Sequence, residues 1–279
     1  MREARIGVSG WSYPEWRGNF YPKGLVQKRE LEYASRQMNS IEINGSFYSL
    51  QSPDSYRKWA AETPDDFLFS LKGSKFITHT KKLAEVRVPL ANFFASGVLL
   101  LGEKLGPIVW QFPPWFRFDE TLVSSFLELL PGDTSQAAQL AEENTIKTKA
   151  KRWTEIVTEK KLRYAFEPRH QSFFCSDFIA LLRERNAALA IADTGGKWPY
   201  AEDITADFIY LRLHGEELYS SDYSEAALKR WARKIKKWRR QDGSLKSRQR
   251  FRDVYVYFDN TAAGHAPDDA RRLAELLNI

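Results

Sequence analysis

The stretch Phe208-Ile209-Tyr210-Leu211-Arg212-Leu213-His214 alternates strictly, with Ile209, Leu211 and Leu213 in one phase and Tyr210, Arg212 and His214 in the other. Successive side chains of a strand point to opposite faces, so one face of this segment is greasy and the other polar and ionic. Four other stretches repeat the pattern. Ile41 and Ile43 oppose Glu42 and Asn44, and Phe67, Phe69 and Leu71 oppose Ser70 and Lys72. Leu162, Tyr164 and Phe166 oppose Ala165, Glu167 and Arg169, and Val254, Val256 and Phe258 oppose Tyr255, Tyr257 and Asp259. In a closed barrel the greasy phase meets the surrounding helices and the other phase fills the lumen. The charges gather toward the C-terminal ends of the strands, where barrels of this type place their chemistry.

Eight strand-like runs lie along the chain: Arg5–Ser9, Ser40–Phe47, Phe67–Lys72, Pro107–Phe112, Leu162–Glu167, Ala188–Asp193, Phe208–His214 and Val254–Asp259. Helical patterns separate most of them, at Gln27–Met38, Asp54–Glu62, Leu90–Leu105, Glu120–Leu130, Asp177–Arg185, Ala226–Gln241 and Pro267–Leu277. Strands alternating with helices predict parallel βαβ units. The sixth connection, through Gly195-Gly196 and Pro199, reads as short and irregular. A polar helical stretch at about 131–160 reads as an insertion after the fourth strand. The expected architecture is therefore an α/β protein, a (β/α)8 TIM-type barrel, forming one domain over residues 1–279 with that helical insertion.

Composition narrows the classes. A chain of 279 residues with 43% hydrophobic and 14% aromatic content can bury a large core, which excludes disorder. The longest apolar stretch, near Phe93–Leu101, is too short to span a bilayer and is broken by Ser96 and Gly97. Met1–Arg5 runs into a strand with no signal-peptide pattern. One cysteine, Cys175, leaves no internal disulfide framework and suits a reducing compartment, so a cytoplasmic location is expected. Cys175 itself reads as a small packing residue. The net charge of +6 is local in origin. Lys229–Arg252 holds twelve basic residues and one acid, Asp242, for +11, while the rest, 30 basic against 35 acidic, carries −5.

The strand ends resemble a known family. Gly7-Val8-Ser9-Gly10-Trp11-Ser12-Tyr13, with Trp16 and Phe20-Tyr21-Pro22, is similar to the opening of the YecE-like family, domain of unknown function family 72. Glu42–Tyr48, Lys72-Gly73-Ser74 with Thr78-His79, and Trp110–Pro114 are similar to its next blocks, as are Phe166–His170, Leu211–Gly215 and Tyr257–Thr261. The match runs in order along nearly the whole chain. It departs at Gly45-Ser46, where the family usually reads Ser-Thr, and at Asp259, where Asn is common. The resemblance implies a barrel shaped like xylose isomerase and endonuclease IV, and implies no activity.

The lumen phase combines three carboxylates (Glu42, Glu167, Asp259) with three cations (Lys72, Arg169, Arg212), beside Asn44, Gln111 and His214. The leading reading is an acid–base enzyme for a small anionic or phosphorylated substrate. Glu42, Glu167 and His214 would exchange protons; Lys72, Arg169 and Arg212 would grip the anion, since Arg forks match carboxylate and phosphate. Asn44, Gln111, Asp259 and Trp11 would complete the pocket, Trp11 as a wall. The alternative is an ion-pair network that fixes packing and does no chemistry. A metal-dependent phosphodiesterase is a rival, with Glu42, Glu167, Asp193, His214 and Asp259 as ligands. No His-x-x-x-His pair or Cys cluster supports it, and three nearby cations oppose it. The sequence nominates no cofactor.

Aromatic residues crowd the first connection (Trp11, Tyr13, Trp16, Phe20, Tyr21) and follow the fourth and sixth strands (Trp115, Phe116, Trp198). Such rings suit a sugar or nucleobase, or else form a satellite core that pins loops. In the basic segment, Leu228, Trp231, Ile235 and Trp238 mark an apolar stripe on helix 226–241. Its cations then form an outer patch that is either a site for nucleic acid or a solvated helix face. A non-enzymatic nucleic-acid-binding or scaffold protein is the third reading.

Overall fold

The computed structural model describes residues 4–217, 221–240, 251–262 and 264–279. Eight strands, β1 (Ala4–Ser9), β2 (Ser40–Ile43), β3 (Leu68–Lys72), β4 (Leu105–Phe112), β5 (Tyr164–Pro168), β6 (Ala188–Asp193), β7 (Phe208–Leu213) and β8 (Asp253–Phe258), pair in sequence order and close into a barrel. All eight pairings are parallel, including the closing one between β1 and β8. The expected TIM-type barrel is what forms.

The two phases separate as the alternation requires. Ile41, Ile43, Phe69, Leu71, Phe166, Leu211, Leu213, Val254, Val256 and Phe258 all belong to the large buried layer between strands and helices. A second, separate cluster fills the lumen with Val109, Ala165, Ala188, Ala190, Phe208, Tyr210, Tyr255 and Tyr257. Above it, hydroxyls bridge the barrel: Ser40 Oγ lies 2.8 Å from the Tyr257 hydroxyl, and Ser70 Oγ lies 2.6 Å from that of Tyr210. Gly7 lets β1 approach β2 closely, since a Cβ there would sit 1.7 Å from the Ser40 carbonyl oxygen.

Helices α1 (Glu30–Gln37), α2 (Gly45–Tyr48), α3 (Pro53–Glu62), α4 (Arg87–Ala95), α5 (Glu120–Leu129), α6 (Thr134–Ala141), α7 (Ser176–Glu184), α8 (Glu225–Arg239) and α9 (Ala266–Leu277) supply the connections. The connection from β6 to β7, residues 194–207, has no helix. Within 131–160 lie α6 and a short 3-10 turn, Lys149–Lys151. Two expected boundaries are corrected. The second strand stops at Ile43, because Asn44 turns into the helical region (φ −86°, ψ −22°) and starts α2. The helix expected over Leu90–Leu105 breaks at Gly97, whose φ of 114° ends α4 and begins a separate 3-10 segment, Val98–Lys104. No helix of the described residues is long and apolar enough to cross a membrane.

Candidate functional site

Arg212, on β7, reaches across the lumen and binds carboxylates from three other parts of the barrel. Its Nη2 lies 2.8 Å from Glu42 Oε1 on β2 and its Nε 3.1 Å from Oε2 of the same group. Its Nη1 lies 2.5 Å from Glu167 Oε2 on β5, and Nη2 is also 3.0 Å from Asp259 Oδ2, just past β8. Arg212, Glu42 and His214 are fully buried and Glu167 nearly so. The surrounding groups complete the layer. Ser9 Oγ donates to Glu42 Oε1 at 2.9 Å and the Tyr210 hydroxyl to Oε2 at 2.6 Å. Arg169 Nε donates to Glu167 Oε1 at 2.8 Å, and His214 Nδ1 stands 3.1 Å from Asp259 Oδ2.

Above this layer opens a cleft of about 730 Å³ at the C-terminal mouth. Asn44, Lys72, Gln111, Arg169 and Asp259, all expected site residues, line it. Glu42, Glu167, Arg212 and His214 do not; they form the ionic layer beneath it. Trp11 is also absent from the lining. Its ring packs 5.4 Å from that of Trp59 and 6.5 Å from that of Phe69, on the helix side of the sheet. The lining adds Tyr13, Phe47, His79 and Trp115, which the reading by strand phase did not place there. All four come from loops or short helical turns that follow strands, where no periodicity reports which way a side chain faces. The sequence signals were the aromatic crowding that includes Tyr13 and Trp115, and the family-like blocks that contain Tyr13, Phe47 and His79. Trp198 packs on the Arg169 guanidinium at 3.7 Å.

His79 sits on a single π-helical turn, Phe76–Thr80, of a kind often found at functional sites. Just beyond it Lys82, Leu83 and Glu85 adopt positive φ of 51°, 67° and 51°, a conformation that costs residues with a Cβ. Lys82 Nζ then lies 5.2 Å from the Trp115 ring centroid.

Charge in the two layers differs. Burial alone would raise Glu167, but Arg212, then Arg169, His214 and Lys72, hold it well below the usual carboxylate range. Asp259 is likewise held low against burial by Arg212 and His214. Both are acceptors at neutral pH. Lys72 is pushed down to about 8, first by burial and then by Arg212. His79 is pushed down to about 4 by burial and by Lys72 and Arg169, so it is neutral in the cleft. Tyr13 is raised to about 12 by burial and Asp259.

The lowered carboxylates have a sign. A carboxylate whose folded value is depressed contributes stability above its unfolded value and loses it as pH falls through the folded one. With ordinary values of 4.5 for Glu and 3.8 for Asp, this contribution is intact at neutral pH. It should fall away steadily below about pH 4.5. Urea melts between pH 7 and pH 3 check this; a midpoint that does not fall below pH 4.5 contradicts it.

The rival metal centre fits these residues poorly. Three of its five candidate ligands, Glu42, Glu167 and Asp259, already surround a guanidinium. Asp193 accepts the Tyr223 hydroxyl at 3.0 Å. Among the described residues no group of three or more His, Cys, Asp or Glu side chains is poised to hold a metal. The described part of the basic segment does not line the cleft. α8 buries Leu228, Trp231 and Ile235, and Lys229 and Lys234 pair at 2.5 Å with Glu225 and Glu202. Residues 241–250 of that segment lie outside the described residues.

A closed eight-stranded parallel barrel with a polar cleft at its C-terminal mouth defines a TIM-type protein. Residues 5–279 match the family model described as "Protein of unknown function DUF72", and the chain belongs to that family. It is 23% identical to UPF0759 protein YunF of Bacillus subtilis over 98% of this chain and 94% of the relative. To UPF0759 protein YecE of Escherichia coli it is 29% identical over 136 residues, 48% of this chain and 47% of that protein. A crystal structure of a DUF72 family protein from Thermotoga maritima superposes with a TM-score of 0.75 at 24% identity, covering 99% of both chains. One from Enterococcus faecalis gives 0.72 at 16% identity over 99% of this chain and 96% of that one. These two likenesses concern the fold.

Proposed function

We propose that the barrel mouth is an active site for a small anionic substrate, with Lys72 as the group that meets it. Arg169, Asn44 and Gln111 are the walls that orient it. One observation carries this reading. Lys72 is only 8% exposed, lines the cleft, and has no hydrogen-bond or salt-bridge acceptor among the described residues. Its Nζ stands 4.3 Å from the centroid of the Phe47 ring instead. The nearby carboxylates bond Arg212 instead, and an ammonium taken out of water without a hydrogen-bonded counter-ion is costly, so such a group either receives an anion or gives up its proton. Both are useful here. Two cations, Lys72 and Arg169, and one carboxylate, Asp259, line the cleft.

The proton-exchange role expected of Glu42, Glu167 and His214 passes to Lys72 in this reading. Glu42 and Glu167 are tied to Arg212 beneath the cleft. A general acid or base works best with a value near the working pH, and Lys72, at about 8, has one. The same ties count against metal-dependent phosphodiester cleavage through these carboxylates.

Sulfate, which stays a dianion across the range, tests the reading by calorimetric titration between pH 6.5 and 10. Binding should be strongest below about pH 8 and weaken by up to about tenfold per unit above it, as Lys72 loses its charge. Absence of binding, or an affinity that is flat across pH 8, would sink the proposal.

A further inference from the structure

Resting on that reading of the mouth, we infer that Lys72 is a carbonyl-reactive amine. The substrate class is then an aldehyde or ketone that also carries a carboxylate or phosphate.

Two half-buried lysines, Lys104 and Lys160, show by contrast what is unusual. Lys104 Nζ donates to the carbonyls of Ala60 and Thr63 at 2.6 and 2.8 Å. Lys160 Nζ donates to those of Glu103 and Leu105 at 3.0 and 2.8 Å. Each is a structural tether. Lys72 is more buried than either and has no such acceptor among the described residues. The carboxylates that might have neutralised it, Glu42, Glu167 and Asp259, face Arg212. Burial away from water and a nearby like charge, here Arg212, are two surroundings that free the lone pair of a lysine for nucleophilic attack. The lowered pKa of about 8 agrees, since roughly a tenth of the amine is then neutral at pH 7.

The amine is also held in place. Ser46 Oγ donates to the Lys72 carbonyl at 2.7 Å, and the next amide, Gly73 N, donates to Val109 O at 2.9 Å. Its backbone is thereby fixed between α2 and β4 at the base of the cleft. Arg169, whose plane is set by Glu167 and Trp198, is suited to hold the acidic group of the substrate. Asn44 and Gln111 can hydrogen-bond the carbonyl oxygen.

The chemistry balances without a redox partner. The neutral Nζ adds to the carbonyl carbon, the π pair passes to oxygen, and a proton moves from nitrogen to that oxygen to give a carbinolamine. The hydroxyl then leaves as water, taking the second proton of the nitrogen, as the C=N bond forms. Amine plus carbonyl gives imine plus water.

The test incubates the full chain with pyruvate or, separately, dihydroxyacetone phosphate, each with cyanoborohydride, which reduces an imine to a stable secondary amine. Peptide mapping by mass spectrometry then looks for a gain equal to the probe less one oxygen. Labelling at Lys72 should be at least about tenfold faster than at the exposed Lys58, slowed by sulfate, and absent in Lys72→Arg with its circular dichroism unchanged. Preference for pyruvate identifies a keto acid; preference for the other probe identifies a phosphorylated carbonyl compound. Labelling of Lys72 no faster than of Lys58 overturns the inference. If sulfate still binds in that case, the anion site stands without the imine; if sulfate fails as well, both readings fall.

Discussion

Arg212→Ala is expected to cost the protein about 3–5 kcal/mol, the usual penalty for stripping a buried ion pair of one partner. For a chain of this size that corresponds to a fall in Tm of about 5–9 °C, and it is a large share of a typical folding free energy. Glu42 and Glu167 are buried, Asp259 is largely so, and all three lie within 3.0 Å of the guanidinium. Without it their charges face one another in a dry lumen. The loss should therefore depend on pH. As pH falls toward 4.5 the stranded carboxylates take up protons, so the gap between variant and parent in a thermal melt should narrow. A variant that melts within 2–3 °C of the parent at pH 7, by a rough reading of the same scale, would mean that the network is dispensable.

Lys72→Met should behave oppositely. It removes a charged group that makes no hydrogen bond or salt bridge among the described residues and replaces it with a side chain of similar length that suits the Phe47 ring. Burying a charge without a hydrogen-bonded partner costs free energy that an apolar side chain does not incur, so Tm should hold or rise slightly. Sulfate binding should drop at least about tenfold, equivalent to about 1.4 kcal/mol. Unfolding of this variant, or unchanged sulfate affinity, would count against Lys72 as the working group. Together the two substitutions divide the six charges of the lumen into those that hold the barrel and those that face the ligand.

Strand phase was legible because period-2 alternation survives in every strand that mixes apolar and ionic residues. Glu42, Lys72, Glu167 and Arg212 lie on the lumen side their positions imply. Depth along the lumen was not legible. Arg212 and Lys72 share a phase and a charge, yet one is sealed under the cleft and the other lines it. What separates them is the reach of Arg212 across the barrel to β2 and β5, a tertiary fact with no local signature. Boundaries failed where single residues turned the chain. Gly45 opened a helix immediately after Asn44, and Gly97 divided what its hydrophobic pattern joins. Trp11 shows the limit of residue type, since a tryptophan beside a strand end can serve a pocket or the packing of α3 behind the sheet.

The Ser40–Tyr257 and Ser70–Tyr210 hydroxyl pairs, with the apolar lumen below them, also decide how the ionic layer communicates. They cork the barrel from beneath. Exchange of Glu42 and Arg212 with solvent is therefore expected to run through the mouth, where Lys72 lines the cleft. Deuterium should enter the Tyr210 and Tyr257 hydroxyls slowly, and more slowly still when an anion sits above them.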